Sequence, residues 1–344
     1  MCAAQKARVA MKILSFWLAC IGGGATLEYL GIPHGLLLGS ILVSTIIVSK
    51  WSFSPPLRFG LGYVQIVLGV VTGLMFDAWD SRVIGALLPS IAFMLFCHLA
   101  QIAVAGFWLN RVSRWSIKDS LLAVYPGALA AVFDLMESER ASSKVMVIHL
   151  IRLLAITLLV SVCMPVDAQV VLTSSELAGP GMLLAVSSLI VLSLLSGRLL
   201  FRLGVPAPFM LTAIICTGLF VKMDYLSGFR MPQWSVLLAT VVLGVLIGTR
   251  FREITWVELV RHGRAGFVSV AIMLLVAGSF ALLAGRILNE DPFTLWLAYM
   301  PGAIETIAIV AFSSGLNVVF ILSHHLVRMV LLHFVPALIV RGRR

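Results

Sequence analysis

Two apolar segments of this chain are broken in the same way. Pro126-Gly127-Ala128 interrupts one and Pro301-Gly302-Ala303 the other. A further apolar segment follows each break and carries the same pair, His149-x-x-Arg152 after the first and His325-x-x-Arg328 after the second. Leu30-Gly31-Ile32-Pro33 returns in the second half as Leu203-Gly204-Val205-Pro206, and Leu68-Gly69-x-x-x-Gly73 returns as Leu243-Gly244-x-x-x-Gly248. Four landmarks in one order at a near-constant offset make an internal duplication, divided here as residues 1–170 and 171–344. Proline in an apolar helix removes a backbone N–H and clashes with the preceding turn. Lipid tolerates such a break only where protein or a water-filled cavity satisfies the freed groups. A duplicated bundle with broken helices and charges at mid-depth is the architecture of a secondary transporter.

The bilayer is implied by composition. The chain is 60% hydrophobic and 12% charged, where soluble domains carry about 25% charged residues. It reads as apolar runs of about 17 to 24 residues, the length of a spanning helix, and leaves nothing of soluble-domain size. The expected fold class is an all-α polytopic membrane protein. The net charge of +10 comes from Lys and Arg in short loops, where cytoplasmic loops collect them. The five cysteines at 2, 20, 97, 163 and 216 have no metal or redox spacing, so no metal and no cofactor are expected. The first run follows Lys6, Arg8 and Lys12 like a signal peptide. Its repeat counterpart opens the second half as an internal span, so it is read as a helix that stays.

Charge decides the topology. Each half offers five long apolar spans plus its Pro-Gly segment, at 119–133 and 292–314. If both Pro-Gly segments enter and leave on one side and the N-terminus is inside, 19 of the 25 Lys and Arg residues lie inside and 4 outside. If both cross, the split weakens to 14 and 9. The positive-inside rule favours the first arrangement. It gives about 10 transmembrane helices plus two re-entrant or broken helical segments. Five spans per half is an odd number, so the halves form an inverted-topology repeat with both termini cytoplasmic. Such repeats place the substrate site near the midplane at their interface.

The candidate substrate-binding residues cluster on the breaks. Pro126, Gly127, Pro301 and Gly302 would free helix ends that can meet an anion. His149 with Arg152, and His325 with Arg328, each share one helix face. An arginine at mid-depth costs about 2.5–3.5 kcal/mol and needs a partner or water. Glu305, three residues past Gly302, is the expected partner of Arg328, and the first half has Ala130 at the matching place. His98 with Gln101 lacks a second-half counterpart and reads as a satisfied core histidine. The Gly-x-x-x-Gly pairs read as close helix contacts, and Glu28 as interfacial.

Tyr125-Pro126-Gly127-Ala128 through Arg152, and Met300-Pro301-Gly302-Ala303-Ile304-Glu305 through Arg328, resemble the duplicated membrane domain of the AbrB family of bacterial inner-membrane proteins. That family carries the labels of regulator and of ammonia monooxygenase. The resemblance covers nearly the whole chain and departs from the family's pattern at Ala128, Ala303 and the missing first-half acid. It implies an inner-membrane location and an effect on gene expression. A DNA-binding regulator needs a soluble reading head, and copper oxygenase chemistry needs a ligand cluster that the seven histidines do not form. The leading expectation is therefore a non-enzymatic secondary transporter of a small anionic solute. The second is a membrane-embedded sensor or regulator acting indirectly, and an oxidase is a distant third. The expected partners are the lipid bilayer and the solute, with a coupling ion or proton and self-association left open, and no direct nucleic acid.

Overall fold

The structure is a computed structural model that describes residues 3–51, 55, 57, 59–74, 81–125, 143–163, 180–205, 207–226, 228–302 and 304–333. Those residues form helices and connecting turns, with no strand among them. In chain order the helices are α1 (Ala3–Tyr29), α2 (Gly35–Trp51), α3 (Gly60–Leu74), α4 (Ser81–Arg111), α5 (Ile117–Val124) and α6 (Ser143–Cys163). Then follow α7 (Pro180–Arg202), α8 (Pro208–Lys222), α9 (Gln233–Thr249), α10 (Trp256–Leu288), α11 (Pro292–Tyr299), α12 (Ile304–Ser313) and α13 (Val318–His333).

Helices α1, α4, α6, α7, α9 and α10 contain the six stretches long and apolar enough to cross a membrane. Helices α2, α3, α8, α12 and most of α13 are shorter but equally apolar. The chain is a polytopic membrane protein. Its outer helices turn large apolar side chains outward, among them Leu14 and Leu18 on α1 and Leu184 and Leu195 on α7. In water that exposure would be costly, whereas lipid tails meet it without penalty.

Positions matched by the recurring sequence landmarks share backbone detail. Gly31 and Gly204 both have φ +75°. His34 and Ala207, at matching places of the two halves, both adopt the left-handed conformation, as do the matched Arg114 and Asn289. Non-glycine residues visit that region seldom, so the matched turns before α2 and α8, and after α4 and α10, share one geometry.

The two halves interlock through their glycines. A Cβ on Gly69 would stand 2.6 Å from Ala213 Cβ and 2.7 Å from Met210 O of α8. A Cβ on Gly244 would stand 2.7 Å from Ser40 Cβ and 2.9 Å from Leu37 O of α2. One turn on, Gly73 meets Ile214 O and Thr217, and Gly248 meets Ile41 O and Ser44. Each Gly-x-x-x-Gly of one half thus lies against the second helix of the other, backbone to backbone. The largest apolar core cluster draws Leu37, Leu68, Leu150, Met210, Leu243, Ile307 and Ile321 together from both halves.

These contacts also give helix directions. Gly69 meets residues 210–213 and Gly73 meets 214–217, so α3 and α8 run parallel. By the same register α2 and α9 run parallel. Met94 and Cys97 cluster with Ala277, Ala281 and Ala284, while Ala105 and Leu109 cluster with Met273 and Ala265. Helices α4 and α10 are therefore antiparallel. Gly266 approaches Ile151, and the earlier residues His262 and Lys144 both meet the ring of Trp115, which makes α6 parallel to α10.

Candidate functional site

The breaks are built by local sequence. Asp291 caps α11, its carboxylate accepting from Thr294 N at 2.7 Å, and Pro292 fits the first turn. Met300 ends the helix because it precedes Pro301. A residue before proline is pushed out of the helical region, and Met300 sits at φ −62°, ψ 141°. Helix α5 has the same length and the same end: Ser116 caps it, and Tyr125 before Pro126 sits at φ −59°, ψ 125°. Pro126 and Gly127 themselves lie outside the described residues.

A helix stopped in this way leaves its last carbonyls without partners, and hydrocarbon offers none. The His-x-x-Arg pairs supply them. His149 Nε2 donates to Leu122 O at 3.0 Å, and Arg152 Nη1 to Tyr125 O at 2.9 Å. His325 Nε2 donates to Leu297 O at 2.9 Å, and Arg328 Nη1 to Met300 O at 2.6 Å. Arg328 Nη2 also donates to Gly302 O at 2.8 Å. The spacing of the motif follows from this geometry. Two residues three apart on one helix face reach two carbonyls three apart on a parallel neighbour. A guanidinium at a helix C-terminus also meets the negative end of the dipole. All four side chains are at most 5% exposed.

The expected Glu305–Arg328 ion pair does not form. Arg328 is committed to carbonyls, and Glu305 lies within its electrostatic reach without contact. Glu305 sits in the first turn of α12, where the positive end of the dipole favours a carboxylate. Its Oε1 accepts from Gln65 Nε2 of α3 at 3.2 Å. Gln65 was missed in the sequence, yet its signal was there: it is the one amide or charged side chain in the apolar run of α3.

Gly302 is not in the left-handed region. A Cβ there would meet Ile307 Cδ1 at 2.8 Å and Ile156 Cγ2 at 3.2 Å, so this glycine gives close approach between the break and α6. Pro301 is buried beside it. Glu28 is not merely interfacial, since its Oε2 accepts from Leu36 N at the start of α2 at 2.8 Å. His98 is half satisfied, with Nδ1 donating to Met94 O at 2.8 Å and Nε2 lacking a partner among the described residues. His324 faces away from the His325 cap and bonds Ser90 Oγ through Nε2 at 2.8 Å, in a network with Tyr299.

Both guanidiniums lie within electrostatic reach of His98. Neither forms an ion pair among the described residues, where the salt bridge present is Lys144–Asp119 at 2.7 Å. No cluster of three metal-ligating side chains occurs there either.

Comparison with known proteins gives a consistent family. The family described as "Transition state regulatory protein AbrB" matches residues 56–343. A protein of Escherichia coli (strain K12) named "Putative regulator AbrB" is 21% identical over 310 residues, spanning 87% of this chain and 86% of its own length. With its duplicated breaks and a family match over most of its length, the chain belongs to the AbrB family.

Proposed function

We propose that this protein is a secondary transporter of a small anionic solute, bound where two inverted repeats meet around the helix breaks. The observation that carries the reading is the pair of buried guanidiniums, Arg152 and Arg328, with the Glu305 carboxylate within electrostatic reach of Arg328. Arg328 gives two donor contacts to carbonyls, and Arg152 gives one to a carbonyl and one to His149 Nδ1, where a guanidinium has five N–H donors. The rest, in a low-dielectric site of net positive charge, suit an oxyanion. The proposed activity is transport rather than catalysis.

Helix direction supports the inverted arrangement. Helix α2 runs parallel to α9 and α3 parallel to α8. Consecutive spans alternate, so α2 opposes its counterpart α8 and α3 opposes α9. Helices α4 and α10 are antiparallel and α6 is parallel to α10, so α6 starts on the side where α4 ends. The caps run in the same order along α5 and α6, and again along α11 and α13. Both features favour re-entrant segments that return to the side they entered. With the charge distribution, this reading puts both termini in the cytoplasm of a bacterial cell and the spans in its inner membrane.

The test is a panel of small carboxylates and phosphates scored by thermal stabilisation of the purified protein, followed by flux into sealed proteoliposomes. A transporter gives ligand-dependent stabilisation and net flux, and Arg152→Gln lowers both. Stabilisation by cations alone would refute the anion site. The relative's regulator name favours a second reading, an indirect sensor. Binding without net flux would select it.

A further inference from the structure

The side chains around the last turn of α11 are each only half used. His325 gives Nε2 to Leu297 O, Gln101 gives Nε2 to Tyr299 O at 3.1 Å, and Arg328 gives both terminal nitrogens to Met300 and Gly302. His98 lies one turn before Gln101 on the same face of α4 and gives Nδ1 to Met94 O. His325 Nδ1, Gln101 Oε1, His98 Nε2 and Arg328 Nε remain, all buried and without a hydrogen-bond partner among the described residues. The four side chains are no more than 2% exposed. A buried polar atom left unpaired is costly, and native structures seldom tolerate several together.

The first break is different. His149 Nδ1 accepts from Arg152 Nη2 at 2.8 Å, which closes the equivalent gap. Met273 and Val276 of α10 stand at the positions that the duplication matches to His98 and Gln101. Met273 packs in an apolar cluster with Val124 and Tyr125. Among the described residues, this set of unmet histidine, glutamine and arginine atoms belongs to side chains at the second break.

Their chemistry is constrained. A ring nitrogen facing a carbonyl carries the hydrogen, so the remaining nitrogens of His98 and His325 are acceptors. Gln101 Oε1 is a third acceptor, and Arg328 Nε–H is a donor. A cation would meet the acceptors, but Arg328 and Arg152 lie within electrostatic reach of His98, and Arg328 of His325. Positive charge is repelled there. An anion that carries an O–H answers both features, its charge suiting the arginines and its hydrogen an acceptor.

We propose that the last turn of α11 binds a small oxyanion bearing its own hydroxyl, of the hydroxycarboxylate class, with Arg328 Nε donating to the carboxylate and the one O–H of the ligand shared between His98 Nε2 and Gln101 Oε1. This rests on the anion reading above and narrows its substrate class. The site belongs to the second break, where His98 and Gln101 select for the hydroxyl.

Matched probes test it on the purified full-length protein: malate against succinate and lactate against propionate, by calorimetry and thermal stabilisation. The hydroxylated member of at least one pair should bind on the order of tenfold tighter, because a site built to bond a hydroxyl rejects the analogue lacking it. His98→Met, which copies Met273, should erase that preference and keep binding of the plain carboxylate. Gln101→Met, which keeps the volume, should reduce it. Equal affinity within both pairs, the result for a site holding water only, overturns this inference and leaves the anion site standing. So does a preference that survives both substitutions. Binding of none of the four overturns this inference, and the wider panel of carboxylates and phosphates then decides the anion reading separately. The wild-type comparison decides the matter even if a variant fails to fold.

Discussion

At the scale of single residues, the arginines are helix caps before they are anything else. Arg328→Gln frees the carbonyls of Met300 and Gly302 in a dry setting, each worth about 1–3 kcal/mol when buried unmet. A clear fall in melting temperature in detergent is expected. Arg328→Lys should recover part of it, because a point ammonium cannot span two carbonyls as a planar fork does. Glu305→Gln added to Arg328→Gln should restore nothing, since the two side chains do not touch. Rescue of melting temperature in the double variant would instead reveal an ion pair. His-x-x-Arg was legible in the sequence as a buried pair on one face. Its targets were not, because backbone carbonyls have no letter in a sequence. The expected carboxylate partner was the nearest visible charge, and a carbonyl cap displaced it.

At the scale of elements, the glycines divide by what their missing Cβ would strike. On Gly248 a Cβ would meet Ile41 O at 2.7 Å, and on Gly73 it would meet Ile214 O at 2.9 Å. Backbone cannot move aside, so Gly73→Leu or Gly248→Leu should force the helices apart. A loss of about 1–3 kcal/mol or more is the usual cost of overpacking, read as a lower melting temperature with the purified protein otherwise intact. At Gly302 the nearest atom is the flexible end of Ile307. Gly302→Ala should therefore be mild, while Gly302→Leu should keep membrane insertion and abolish flux. Normal flux from well-expressed Gly302→Leu protein would remove the break from the mechanism. The Gly-x-x-x-Gly pairs could be read as close contacts from sequence alone. That each would lie on the other half's second helix could not, because small residues announce proximity but not the partner.

At the scale of the whole molecule, the topology can be measured. Trp115, just after α4, meets His262 of α10 with ring centroids 5.8 Å apart, so the end of α4 and the start of α10 share a side. Ser313 Oγ at the end of α12 bonds His34 Nδ1 in the α1–α2 turn at 3.2 Å, which puts those two on one side as well. Single cysteines at Arg114 and Glu258 in a cysteine-free background should label only from the cytoplasm. Cysteines at Glu290 and Asp224 should label only from outside. External labelling at 258 would sink the inverted-repeat reading.

The sequence alone was enough for the membrane class, because apolar runs of spanning length leave few alternatives. It also displayed the recurring landmarks, because proline, glycine and charge inside apolar runs are costly and stand out when they recur. Only the tertiary structure could decide what the costly residues do. Whether a buried guanidinium meets a carboxylate, a carbonyl or nothing depends on which neighbouring helix lies beside it, and in which direction. That is why the bond from Gln65 to Glu305 and the unmet atoms of His98 and Gln101 became visible only once α3, α4 and α11 were packed around the second break.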